Sequence, residues 1–131
     1  MIIGIDFDGT LVDHRYPEIG AAVPGAVEAC KALVAKGAKL VLFTMRSDGG
    51  KDGDTLSDAV RWCEQQGIEL YGVNRNPTQD SWTSSPKAYC HVYVDDAAFG
   101  CPLRDNPRSG GRPMVDWSRV TPTLLERMEP V

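Results

Sequence analysis

Nothing in this chain of 131 residues spaces cysteines for metal binding or redox exchange. The four cysteines, Cys30, Cys63, Cys90 and Cys101, form no C-x-x-C pair, so the common zinc and dithiol motifs are excluded. No apolar run approaches the roughly 20 residues that a membrane-spanning helix needs. Positive charge is scarce: 14 Lys and Arg stand against 18 Asp and Glu, for a net charge of -4. The isoelectric point of about 5.1 argues against nucleic acid as a partner, because nucleic-acid binders carry a basic patch. The late arginines Arg104, Arg108, Arg112 and Arg119 are interrupted by Asp105 and Asp116 and read as solvated surface. Free thiols without a secretory signal point to a reducing cytoplasm.

What remains is ordinary globular composition, 42% hydrophobic and 24% charged, in a length that suits one domain with a moderate core. Apolar runs over residues 2–7, 39–44, 68–73 and 91–94 read as strands. Between them, residues 24–37 and 55–66 carry apolar residues at helical spacing. Pro24 stands near the start of the first helix and Gly37 just past its end. Val27, Cys30, Leu33 and Val34 form its core face. In the second helix Thr55 and Asp58 offer a capping box, with Leu56, Ala59, Val60 and Cys63 inward. Ser85 and Pro86 read as the start of a short helix. After Cys101 the pattern is irregular, and a last helix is expected from about Thr121, packing through Leu124, Leu125 and Met128.

Strands alternating with helices imply an α/β fold, a parallel sheet with right-handed crossovers. Ligands bind such sheets at the carboxyl ends of the strands. Asp6 and Asp8 close the first strand, one residue apart, and alternation puts both on one side with Phe7 on the other. Two close carboxylates repel unless a cation or proton relieves them. Thr44 ends the second strand and Asp95-Asp96 ends the fourth, so these polar groups gather at one edge. The arrangement suits a divalent metal and a phosphate.

The run Asp6-Phe7-Asp8-Gly9-Thr10, then Thr44, Lys87 and Asp95-Asp96 in order, resembles the four motifs of the haloacid dehalogenase (HAD) superfamily over residues 1–100. The resemblance implies a three-layer Rossmann-like sheet in the order 3-2-1-4 with helices on both faces. It also implies a Mg²⁺-dependent phosphomonoester hydrolase. Asp6 is then the nucleophile, because a carboxylate can attack phosphorus and split one hard step into two. Asp8 is the general acid and then base. Thr44 and Lys87 complete the catalytic set and hold phosphoryl oxygens. Asp6, the main-chain carbonyl of Asp8 and Asp95 are the expected Mg²⁺ ligands, with Asp96 supporting them from behind. Gly9, Thr10 and Arg46 join the expected phosphate contacts, Gly9 through its N–H and Arg46 through the leaving group or a second phosphate.

The HAD family inserts caps after the first motif or after the third strand. Residues 11–23 are too short for a cap but longer than the usual ~2–6 residue loop, so a small flap is expected. The stretch before Lys87 is also too short. The expectation is one capless domain, 1–131, with a catalytic core at 1–100 and an irregular extension at 101–131 carrying a short helix. That extension is read as site cover or as a contact between copies in a homo-oligomer. His14 is read equally as a substrate contact or a surface histidine, His91 as structural, and Trp82 as a packing anchor. Two other classes compete: a phosphate-binding or scaffold protein without turnover, and a phospho-accepting receiver module. The partner is a phosphorylated substrate of open class, and no membrane is involved.

Overall fold

The computed structural model describes residues 1–129; the last two residues of the 101–131 extension lie outside them. The chain folds as an α/β protein around a parallel sheet in the order β3-β2-β1-β4. Strand β1 is Ile2–Ile5, β2 is Lys39–Leu42, β3 is Gly72–Val73 and β4 is Val92–Val94. Gly4 of β1 lies opposite Val41 of β2 and Tyr93 of β4. The central strand is thus flanked on both sides by near-continuous apolar strands, as parallel sheets require. Strand β3 is shorter than the expected 68–73. Ile68 N–H donates to Cys63 O at the preceding helix end, so the chain completes that turn before it reaches the sheet edge.

Helix α1 (Ala26–Ala35) buries Ala26, Ala29, Cys30 and Leu33, and α2 (Thr55–Gln65) buries Thr55, Ala59 and Cys63. Both pack on the face that carries Ile3, Ile5, Leu40 and Leu42. Burying each such side chain contributes about 1.5–3 kcal/mol. Burial pushes the Cys30 thiol up to about 12, so it behaves as a small hydrophobe. The capping box does not form. The residue before α2 is Asp54, which makes no side-chain cap, and the Thr55 hydroxyl donates instead to Ser47 O at 2.8 Å.

Helices do not cover both faces. The opposite face presents Ile2, Val41, Phe43, Tyr71 and Tyr93, which pack with Ala88 and Cys90. Its cover is the irregular segment 74–91, with one 3-10 turn at Gln79–Ser81. The buried Gln79 side chain holds this cover together. Its amide donates to Ser85 O at 3.2 Å and Lys87 O at 2.9 Å, and its carbonyl accepts from Tyr89 N–H at 2.8 Å. No helix starts at Ser85. His91 is structural as expected, its Nδ1 accepting from Ile2 N–H at 2.8 Å.

The C-terminal segment belongs to the core. Strands β5 (Leu103–Arg104) and β6 (Met114–Val115) form an antiparallel ribbon. Helix α3 is Trp117–Arg127, four residues earlier than the expected start, and the Asp116 side chain accepts from Ser118 N–H at its head. Trp117, Val120 and Leu124 are buried in the same cluster as α1 and α2. No inserted cap domain stands among the described residues, and no helix there is long and apolar enough to cross a membrane.

Candidate active site

Asp6 follows directly on β1. Its N–H donates to Val94 O, while Phe43 N–H donates to Ile5 O, so the sheet fixes Asp6 between the ends of β2 and β4. Asp95 and Asp96 follow β4. One carboxylate oxygen from each of Asp6, Asp95 and Asp96 lies within 4.8 Å of the others. Asp96 therefore stands inside the trio rather than behind it. Asp95 Oδ1 also accepts from Ala97 N–H at 2.9 Å.

The trio strains its own charge. Asp6 is pushed up from the ordinary carboxylate value to about 8. Burial is the largest cause, followed by the contact with the Asp96 carboxylate and the negative charges of Asp95 and Asp96. The Thr10 hydroxyl, 3.1 Å from Asp6 Oδ2, opposes this. His14 Nε2 lies 2.8 Å from Asp96 Oδ2. Converging oxygen donors short of positive charge fit a hard divalent cation. The Asp8 main-chain carbonyl accepts no hydrogen bond among the described residues, which leaves its oxygen available as well.

These groups line one open cleft of about 540 Å³, formed by Asp6, Asp8, His14, Tyr16, Thr44, Met45, Arg46, Asp95, Asp96, Ala97 and Arg112. The volume is in the range of small-ligand sites, roughly 300–1,000 Å³. Thr44 lines this cleft. Its N–H donates to the Asn74 side chain at 2.8 Å, and its oxygen accepts from Arg46 N–H at 3.1 Å, so the hydroxyl proton stays free for a ligand. Asn74 adopts the left-handed region, φ 55°, which Asn tolerates better than most residues.

Four expected phosphate contacts require correction. Gly9 N–H donates to Val12 O at 2.7 Å and is not free for an anion. Gly9 is needed for space: at φ +85°, an added Cβ would come within 2.1 Å of His14 Nε2 and 2.3 Å of Asp96 Oδ2. Thr10 is fully buried and acts as a brace, donating to Asp6 and accepting from Asp96 N–H at 3.3 Å. Arg46 lines the cleft but has no donor left. Nε and Nη2 grip Asp8 at 2.9 and 2.8 Å, Nη2 also reaches Glu18 O, and Nη1 reaches Pro17 O and Thr55 O.

Lys87 is the fourth correction. It is absent from the cleft and lines a separate cavity with Trp82, Tyr89 and Tyr93. Its ammonium lies 5.1 Å from the Tyr93 ring centroid. Without a helix at Ser85, the backbone that carries Lys87 serves as cover for the opposite sheet face.

Tyr16 and Met45 also line the cleft without having been singled out from the sequence, as does Arg112, which was read as solvated surface. Residues 11–13 pair back on 21–23, through Val23 N–H to Leu11 O and Asp13 N–H to Ala21 O. The expected flap is thus a hairpin that carries His14 and Tyr16 over the site. Asp13 is buried and accepts from Asn106 at 2.6 Å and from Arg108 Nε at 2.8 Å. Those bonds, led by the Arg108 contact, hold its carboxyl below the usual range. They tie the C-terminal extension to the loop after β1.

The fold and site define a parallel α/β protein with a carboxylate cluster at the carboxyl end of its central strand. No protein-family model matches the chain. No curated protein matches it. Among solved structures, it is similar to a conserved protein of Bacteroides thetaiotaomicron, with 32% identity and a TM-score of 0.75 over 97% of this chain and 91% of that one. With that identity over nearly the whole of both chains, the protein belongs to the same family as the Bacteroides protein.

Proposed function

We propose that this protein is a Mg²⁺-dependent phosphomonoester hydrolase of the HAD type. The observation that carries the reading is the Asp6 carboxylate at the end of the central strand, grouped with Asp95 and Asp96 within 4.8 Å and sharing a cleft with Thr44. Asp6, Asp95, Asp96 and the Asp8 carbonyl are the groups that would hold Mg²⁺. The ion's chemistry there is charge neutralisation of the cluster and of the phosphoryl group.

With a cation held there, Asp6 would be ionised and able to act as the nucleophile. One Asp6 oxygen bonds to phosphorus as the ester P–O bond breaks, giving an aspartyl-phosphate and a leaving alkoxide. Asp8 enters the step protonated, having taken a proton from solvent as one limb of its Arg46 fork opens, and passes that proton to the alkoxide. Water then attacks phosphorus with Asp8 as base, releasing phosphate and restoring Asp6. Thr44 donates its hydroxyl to a phosphoryl oxygen. The hairpin at 11–23 partly covers the cleft and limits water.

A second reading, phosphate binding without turnover, is favoured by the clamp on Asp8 and by the absence of Lys87 from the cleft. Phosphate release from a panel of monoesters with Mg²⁺ separates the two. Hydrolysis by the wild type that is lost in Asp6→Asn supports the first. Mg²⁺ and phosphate binding with no release from any ester supports the second, and turnover retained in Asp6→Asn removes Asp6 as nucleophile.

A further inference from the structure

We propose that Arg112 recognises a second anionic group on the substrate, so that the preferred substrates are phosphate monoesters carrying a further phosphate or carboxylate. The proposal rests on the hydrolase reading for its chemistry. Three cationic or potentially cationic side chains line the cleft: His14, Arg46 and Arg112. His14 is engaged with Asp96, and all five Arg46 donors are taken by protein oxygens. Arg112 is exposed, and among the described residues its guanidinium has neither an ion pair nor a hydrogen bond. It is the cation in the cleft with a free planar fork, the geometry that suits phosphate and carboxylate.

The loop that carries Arg112 is held at both ends. Upstream, Asn106 and Arg108 bond to buried Asp13. Downstream, Val115 N–H donates to Gly9 O, and Trp117 Nε1 donates to Thr10 O at 2.8 Å. These anchors fall on the same loop that braces Asp6 and Asp96. Gly110 and Gly111 adopt φ +60° and +87°, and nothing lies within 4 Å of a Cβ added to either. Backbone conformation and not crowding therefore calls for glycine there. Arg112 N–H donates back to Ser109 O at 3.1 Å, and Pro113 fixes the next residue. This turn presents Arg112 at the exposed side of the cleft. The transferred phosphoryl belongs at the part-buried Asp6, so the exposed fork is left for the leaving portion. Tyr16 and Met45, 51% and 96% exposed, offer apolar contact to the carbon skeleton between the two anions.

The test compares fructose 1,6-bisphosphate with fructose 6-phosphate, a pair that differs by one phosphate, in the presence of Mg²⁺. Wild type, Arg112→Ala, Arg112→Lys and Arg104→Ala are assayed for phosphate release. Arg112→Ala is expected to lower kcat/KM about tenfold more for the bisphosphate than for the monophosphate, mainly through KM. Arg112→Lys should be intermediate, since a point charge replaces a fork. Arg104→Ala, a charge removed outside the cleft, should match wild type. Equal losses on both esters, or no loss, overturn the proposal. If wild type hydrolyses neither ester, the wider ester panel decides the hydrolase reading separately, and calorimetric titration of the same two ligands decides the role of Arg112. Tighter binding of the bisphosphate by wild type, lost in Arg112→Ala, supports it. Equal binding of the two ligands by wild type overturns it.

Discussion

Both carboxylate oxygens of Asp8 are held by one buried guanidinium: Arg46 Nη2 lies 2.8 Å from Oδ1, and Arg46 Nε lies 2.9 Å from Oδ2. The remaining N–H groups bond Pro17 and Glu18 in the hairpin and Thr55 at the start of α2. The guanidinium also faces the Phe7 ring at 4.9 Å and the Tyr16 ring at 5.2 Å. Arg46 thus fastens three segments around the residue assigned to proton transfer.

Removing that guanidinium leaves a partly buried carboxylate and three carbonyls without their donor. Arg46→Met is expected to cost about 3 kcal/mol in urea denaturation, the low end for a broken buried pair because Asp8 retains some solvent. Arg46→Lys should recover only part of this, since an ammonium cannot span five acceptors in one plane. A cost below about 1 kcal/mol for Arg46→Met contradicts the clamp.

The raised Asp6 makes the stability of the metal-free protein depend on pH. Its ordinary value, 3.8, describes the unfolded chain, and the folded value is about 8. Between these, the folded state holds more protons than the unfolded state, so stability falls as pH rises from about 4 to about 8. Asp6→Asn removes this slope and is expected to stabilise the metal-free protein at pH 8 by about 1–2 kcal/mol, less than the full shift because the cleft is open to water. Mg²⁺ should raise the wild-type Tm more at pH 8 than at pH 5. Thermal melts across that range, with EDTA or Mg²⁺, check both statements. A metal-free stability that is flat or rising from pH 4 to 8 contradicts the repulsion within the trio.

The parallel sheet and the gathering of Asp6, Thr44, Asp95 and Asp96 at one edge were legible because they depend on local signals, whereas the strand order came from the resemblance to the HAD motifs. Buried strands read as apolar runs, and strand ends carry the polar residues. The fate of Lys87 was not legible, because it turns on whether Ser85 starts a helix. A buried glutamine six residues earlier decides that through three hydrogen bonds. Arg46 was assigned to substrate because its side of the strand is readable and its five acceptors are not. Three of those acceptors are main-chain carbonyls, which any residue type provides. Helix α3 was placed four residues late, on Leu124, Leu125 and Met128 alone. The better signal was Trp117, Val120 and Leu124, spaced i, i+3 and i+7.

Trp117 joins the extension to the site. It is 1% exposed, packs in the main core, and donates from Nε1 to Thr10 O. Trp117→Ala is expected to cost about 3–5 kcal/mol, within the range for large-to-small core changes. Trp117→Phe keeps most of the packing but leaves a buried carbonyl without its donor, for about 1–3 kcal/mol. Because Thr10 braces Asp6, Trp117→Phe should also lower phosphate release while the protein remains folded by circular dichroism. Wild-type stability in Trp117→Phe contradicts the role given to the indole N–H.

Gly9 tests whether the carboxylate trio depends on close approach rather than on composition alone. Alanine there meets two obstacles. The backbone at φ +85° disfavours any Cβ, and the Cβ itself would fall 2.1 Å from His14 Nε2 and 2.3 Å from Asp96 Oδ2. The first effect costs about 1 kcal/mol. The second must displace His14 and Asp96, because the Gly9 backbone is fixed by its bonds to Val12 and Val115. Gly9→Ala is therefore expected to weaken Mg²⁺ binding by about tenfold or more, the scale seen when groups that orient metal ligands are lost. Calorimetric titration of Mg²⁺ into wild type and Gly9→Ala measures it. His14→Ala in the Gly9→Ala background removes one of the two clashing groups, so it should restore part of the lost affinity. Equal Mg²⁺ affinity in wild type and Gly9→Ala contradicts a cation site at Asp96.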